Sequence, residues 1–384
     1  MGFAEKWINR VMLCVRTVTY QVKINDQTSR SITPGRGLRQ GDPLSPYLFL
    51  LVSELLSAKM AAAVDRKSLS GIQLGRGGPT ISHLFFANDS IFFIRASREE
   101  AAEFREILSQ YEMLSGQRIN MEKSEVVFSR NTPADVRQVV GSLLGIGQVD
   151  CHSKYLGLPL IVGQGKTETF HCITEKIWRK IGDWKGKLLS MAGKEVLIKA
   201  VVQSIPVYMM SVYFFPQKNL DDIAKLIGQY WWNKDGRKGI SWLSREVLYR
   251  KKEGGGIGFK DLRIFNEAIL MKICWRMLTH LGSRPSHIWR GVMKNIQLFW
   301  SGLEWNVNST GVVWKMASNG EFSVKTAYDL ISNNRSKLQQ GLGEQSFGGF
   351  KKRFWNIIWK STVPNKLKIF CWRLYHGALP DAVR

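Results

Sequence analysis

Asp89 is the residue that the sequence places best for chemistry. It stands in His83-Leu-Phe-Phe-Ala-Asn-Asp-Ser-Ile-Phe-Phe93, where Asn88 and Asp89 separate two apolar runs. A carboxylate held at a tight turn between two strands can bind a divalent metal ion at a sheet edge. The same pattern also has a purely structural explanation. Residues 81–87 and 90–94 read as short strands, and Asn88-Asp89 suits a two-residue hairpin turn, where positive φ is tolerated. These eleven residues fit both readings, so the elements around them must decide.

Residues 4–18 have the spacing of a helix, with Trp7, Ile8, Val11, Met12 and Val15 as apolar markers, and a strand is expected over 18–25. The Gly- and Pro-punctuated segment 33–46 leads into a second helix, which Ser45 can cap and Pro46 can open and which runs to about Val64. Ser97-Arg-Glu-Glu100 is a capping box that starts a helix ending near Leu114. Strands around 118–128 and 154–161 would complete an α+β unit with an antiparallel sheet covered by helices on one face. From 166 to about 230 the pattern is helical and basic. Residues 251–259 read as a flexible break, 262–280 as a Trp-bearing helix, and 332–350 as a linker before a basic segment, 351–384.

Charge is distributed unevenly along this frame. The chain has 384 residues and a net charge of +24. Residues 1–150 hold 18 basic and 15 acidic side chains, whereas 151–384 hold 37 and 16, a surplus of 21. Thirteen of the 14 Trp also lie beyond residue 150. Cationic and aromatic groups enriched together point to a polyanion as partner. Lys176, Arg179, Lys180, Lys185, Lys187 and Lys194 fall in helical stretches from which several could face one phosphate backbone. The five cysteines are odd in number and scattered, which argues against both a disulfide framework and a zinc site and fits a reducing compartment. The apolar stretch Ile205–Phe215 is too short to span a membrane, and the start MGFAEK is not a signal peptide, so the chain is expected to be intracellular and soluble.

Gly37-Leu-Arg-Gln-Gly-Asp-Pro-Leu-Ser-Pro-Tyr-Leu-Phe49, followed by Phe-Phe-Ala-Asn-Asp-Ser-Ile-Phe-Phe, resembles the palm of reverse transcriptases of plant non-LTR (LINE-type) retrotransposons. The resemblance implies that Gly37, Gln40, Gly41, Asp42 and Pro43 lie beside incoming nucleotide and template. Glycines there let the backbone approach a ligand closely, and the Gln40 amide can meet a base or a ribose. Residues 114–129 look like the segment after the hairpin in that family. Tyr155-Leu156-Gly157 looks like its primer-gripping turn. Residues 184–201 are similar to its thumb, and 322–331 with 354–380 to the start of its C-terminal zinc-binding region. Domains are accordingly expected at 1–165 (partial palm), 166–300 (helical, basic thumb and connection) and 301–384 (linker and zinc-region-like segment). RNA and DNA are the implied partners, Mg²⁺ the implied cofactor and the nucleus the implied location.

The sequence also departs from the family. Members carry two consecutive Asp at the hairpin, and with a third from an earlier strand these hold two Mg²⁺ ions. Here the first of the pair is Asn88, whose amide oxygen brings no negative charge, and hard divalent ions are held chiefly by carboxylates and substrate phosphates. The acids before Gly37, Glu5 and Asp26, are not in apolar strands of the right kind. Asp89 is left as the remaining carboxylate of an incomplete Mg²⁺ site. Cys371 and His376 have no partners at ligand spacing, so no zinc is expected. These departures imply a fragment shortened at both ends and inactive as a polymerase. The alternatives are a non-catalytic nucleic-acid-binding module and an incomplete reading of a longer element polymerase.

Overall fold

In the computed structural model the described residues are 2–378 apart from 36, 74–77, 130, 148–153, 160–165, 185–188, 234–238, 280–298, 300, 307–310 and 340–347. The chain divides into two units, Met1–Ile161 and Val162–Arg384. Both are helix-rich with small antiparallel ladders, an arrangement compatible with the α+β expectation.

The first unit begins with α1 (Glu5–Arg16), which buries none of its side chains. Where a strand was expected over 18–25, the chain forms a narrow hairpin. Tyr20 bridges Ile32, and β1 (Lys23–Ile24) pairs with β2 (Gln27–Thr28) across Asn25 and Asp26, both at positive φ. Next comes α2 (Ser45–Asp65), whose cap differs from the expected one. The N-cap position is Leu44, and the Ser45 hydroxyl donates to Arg39 O at 2.8 Å. The Asp42 carboxylate accepts instead from Leu44 N at 2.8 Å, so an Asx turn opens this helix. By length and hydropathy α2 could cross a bilayer, the one such helix among the described residues and longer than the stretch Ile205–Phe215. Its Leu56, Met60 and Ala63 are buried in the core of this unit.

That core is completed by α3 (Arg98–Ser115) and α4 (Ala134–Leu144). Phe104, Ile107, Leu108 and Tyr111 of α3 meet Val140 and Leu144 of α4. Ser97 caps α3 by accepting from Glu100 N at 3.2 Å, but the reciprocal half of the box is absent. The Glu100 carboxylate turns away to accept from Arg95 N and from the backbone and hydroxyl of Ser70. Among the described residues, 118–128, expected as a strand, form no ladder and show a single bridge position at Val126. β3 (Ile72–Gln73) pairs with β4 (Thr80–Ile81), β5 (His83–Phe86) with β6 (Asp89–Phe92), and β7 (Lys154–Tyr155) with β8 (Leu158–Pro159), each as a separate two-stranded ladder.

The second unit is built from α5 (Lys166–Gly182), α6 (Met191–Leu197) with a π-helical turn over Ile198–Val202, α7 (Val207–Met210), α8 (Gln217–Trp232) and α9 (Arg245–Tyr249). It continues with α10 (Leu262–Thr279), a ladder of β9 (Leu303–Asn306) and β10 (Gly311–Trp314), α11 (Val324–Gln339), α12 (Gly348–Lys360) and α13 (Asn365–Tyr375). The expected linker over 332–350 is therefore helical at both ends, because α11 extends to Gln339 and α12 starts at Gly348. Asn266 of α10, fully buried, has both ends of its amide engaged: Phe215 N donates to its Oδ1, and its Nδ2 donates to Met210 O and Tyr213 O.

The segment 251–259, expected to be flexible, is a packing centre. Gly255, Gly256, Ile257 and Phe259 are buried. Gly255 O accepts from Trp372 Nε1 at 2.7 Å and lies 2.8 Å from His376 Nε2. A Cβ at Gly255 would lie 2.6 Å from Trp355 Nε1, and the residue has φ +81°. These glycines are required by close approach, not by mobility. Beside them the nearly buried Glu195 carboxylate accepts from Lys199 at 2.6 Å, Lys252 at 2.8 Å and Asn365 at 3.3 Å. Burial pushes the Glu195 carboxyl up, but the bonds and charges of Lys199 and Lys252 outweigh it and hold its pKa below the usual value.

Candidate functional site

Phe86 pairs with Asp89 at the tip of the β5–β6 hairpin, so the two-residue turn is Ala87-Asn88 and Asp89 is the first residue of β6. This shifts the expected register by one residue. The positive φ also falls on Ala87 (51°), not on Asn88 or Asp89. All three residues are exposed. The hairpin is held from beneath. Ring contacts run from Phe85 to Phe92 to Phe104, with centroids 5.7 and 4.9 Å apart, and tie both strands to α3. His83 ties β5 to α2 through Ser57. One face of the hairpin is thus anchored, while Leu84 and Phe86 face outward.

The loop before α2 carries the other predicted substrate-binding residues. Gly37 and Gly41 have φ +85° and +82°, a backbone region that glycine adopts without a side-chain clash. Gln40 and Pro43 are exposed, whereas the Asp42 carboxylate is engaged at the helix start. Gly37 and Asp42 line a small cavity with Cys14, Tyr20 and Leu48. The structure thus joins this loop to α1 and α2, and Asp42 acts there as a turn residue. Among the described residues no group of three or more His, Cys, Asp or Glu is arranged to hold a metal ion. Asp89 and the neutral Asn88 supply one carboxylate between them, so the residues present do not fit a two-Mg²⁺ centre.

Tyr155 closes β7, and the turn Leu156-Gly157 has φ +52° and +76°, the pattern of a type I′ turn. Of the six predicted phosphate-binding cations, Lys176, Arg179 and Lys180 are exposed on α5 at i, i+3, i+4 spacing. Phe170, Ile173, Ile177 and Ile181 form the opposite, buried face of that helix. Trp178 on α5 is 57% exposed. Lys185 and Lys187 lie outside the described residues. Lys194 differs from expectation: its ammonium donates to Asn233 O and sits 5.7 Å from the Tyr230 ring centroid. It is a structural tie and not part of an exposed cationic face.

Two features of the site had weak sequence signals or none. The His83–Ser57 contact had none, because the partners are far apart in the chain. α4 had one that was missed, namely Pro133 followed by Val136, Val139, Val140, Leu143 and Leu144 at helical spacing.

Residues 1–160 match the reverse transcriptase (RNA-dependent DNA polymerase) family. The similarity extends past that segment in curated relatives. A putative ribonuclease H protein of Arabidopsis thaliana is 27% identical over 209 residues, which is 54% of this chain and 32% of that protein. An uncharacterised mitochondrial protein of the same plant is 49% identical over 67 residues, or 17% of this chain and 55% of that protein. The transposon TX1 uncharacterised 149 kDa protein of Xenopus laevis is 28% identical over 267 residues, or 68% of this chain and 19% of that protein. The chain spans about a third and about half the length of the first two relatives. The likeness to reverse transcriptases covers residues 1–160, and the likeness to the transposon TX1 protein reaches beyond that segment.

Proposed function

We propose that this chain is a retrotransposon reverse-transcriptase relative of the plant non-LTR type that holds RNA and DNA backbones without polymerising on them. The observation that carries the proposal is the reverse transcriptase match over 1–160, with Asn88 standing beside Asp89 at the hairpin where the resemblance implies two acids. A single carboxylate leaves the two metal ions of phosphoryl transfer under-coordinated and their charge poorly neutralised. On this reading the first unit is a palm remnant. The helices from 166 to 300 serve as thumb and connection, the segment beyond 301 resembles the start of a zinc-binding region, and the protein works in the nucleus.

A primer-extension assay tests the proposal. The purified chain, given annealed primer on RNA or DNA template with Mg²⁺ or Mn²⁺, is expected to add no nucleotides above background. Template-dependent incorporation that vanishes on chelation overturns it. Metal analysis of the same preparation is expected to find no stoichiometric zinc, and a one-to-one content would reveal a zinc site that the sequence reading denies.

A further inference from the structure

Helix α13 is apolar on two opposite faces. Inward it buries Ile369 and Trp372. Outward it presents Leu367, Phe370, Cys371 and Leu374, spaced i, i+3, i+4, i+7, and the three non-cysteine residues are 46%, 51% and 60% exposed. A surface helix ordinarily places polar residues on its outer face, and one that is hydrophobic all round is ordinarily covered. Among the described residues nothing covers this outer stripe. It runs on to Tyr375, whose ring lies 5.5 Å from that of Phe354 on α12, also exposed.

The occupant is indicated by shape and charge. Leu, Phe, Cys and Leu at this spacing form the ridge that fits between the side chains of another helix. Residues 348–378 contain seven basic side chains and no acidic one. A second copy docked on the same face would oppose like charges along the seam. We infer that the outward face of α13 docks an amphipathic helix of a partner protein that flanks its own apolar stripe with Asp and Glu.

The probe is a synthetic helical peptide about 18 residues long, with Leu along one stripe and Glu on both sides, read by fluorescence anisotropy against the full chain. A control peptide replaces every Glu with Lys. The Glu peptide is expected to bind at least about tenfold more tightly than the Lys peptide. Leu374→Glu, a change at an exposed position, is expected to weaken Glu-peptide binding at least about tenfold while circular dichroism stays unchanged. Lys366→Glu is expected to narrow the preference between the two peptides. Equal binding of both peptides, or of neither, overturns the inference. So does a dimer in sedimentation that Leu374→Glu dissolves, which would make a second copy the occupant. Flotation with phosphatidylglycerol vesicles that Leu374→Glu abolishes would assign the face to a membrane and overturn it equally.

Discussion

The Nε2 atom of His83 lies 2.8 Å from the Ser57 hydroxyl, fastening the strand that leads to Asp89 onto α2. The other ring nitrogen, Nδ1, lies 2.8 Å from the Ser82 hydroxyl. A hydroxyl both donates and accepts, so either neutral tautomer is satisfied. Burial lowers the His83 pKa below its usual value, with Glu54 acting in the opposite direction. The unfolded chain therefore binds this proton more readily than the folded one. The stability that His83 contributes is complete above the unfolded pKa of about 6.5 and is lost as pH falls through the lower folded value. His376 shifts the same way, by burial and by Arg250 and against its bond to Gly255. Denaturant unfolding is expected to show lower stability at pH 5.5 than at pH 7.5, and His83→Gln should narrow but not close that gap. An unchanged gap would mean that His83 does not titrate differently on folding. Ser57→Ala is expected to cost about 0.5–1.5 kcal/mol at neutral pH, the usual worth of one such bond.

Ala87 offers a test by gain of stability. Its φ of 51° is one that a residue bearing Cβ adopts at a cost of about 1–2 kcal/mol. Glycine escapes that cost but loses more backbone entropy on folding. Ala87→Gly is therefore expected to raise unfolding stability by up to about 1 kcal/mol, measured by the denaturant midpoint at constant m-value. A fall in the midpoint would place the turn residue elsewhere.

Gly255 tests the reverse case. An added methyl meets the indole of Trp355, itself buried, on a backbone with φ +81°. Neither can yield without disturbing Trp372 and His376, which share the Gly255 carbonyl. Gly255→Ala is expected to cost about 2–3 kcal/mol, combining left-handed strain with overpacking. Gly254→Ala, where no atom lies near the added methyl, serves as the control and should change stability by less than about 1 kcal/mol.

These positions show how far local sequence carries. The helices α3 and α10 were legible because apolar periodicity and, for α3, a capping serine operate within a few residues. The hairpin was legible too, but its register was not, since Asn88 is the better positive-φ residue and pairing nonetheless placed that conformation on Ala87. The segment around Gly255 read as a flexible break because the Trp355, Trp372 and His376 side chains that pack against that glycine come from distant parts of the chain. The same holds for Lys194, which nothing nearby in sequence distinguishes from Lys180. Only the fold brings Asn233 O to its ammonium.

The basic face of α5 yields the last prediction. Lys176, Arg179 and Lys180 project from one exposed side, while Lys194 is engaged elsewhere. Counting those three as phosphate contacts, log affinity of the full chain for an RNA–DNA duplex should fall with log salt at a slope of about −3. Each change to Ala among the three should make that slope shallower by about 1 and weaken binding alike for unrelated sequences. Lys194→Ala should leave the slope unchanged and lower stability instead, since it removes a donor from a carbonyl inside the fold. If the triple Ala variant keeps the parent's slope, the cations of α5 are merely solvated and the polyanion lies elsewhere.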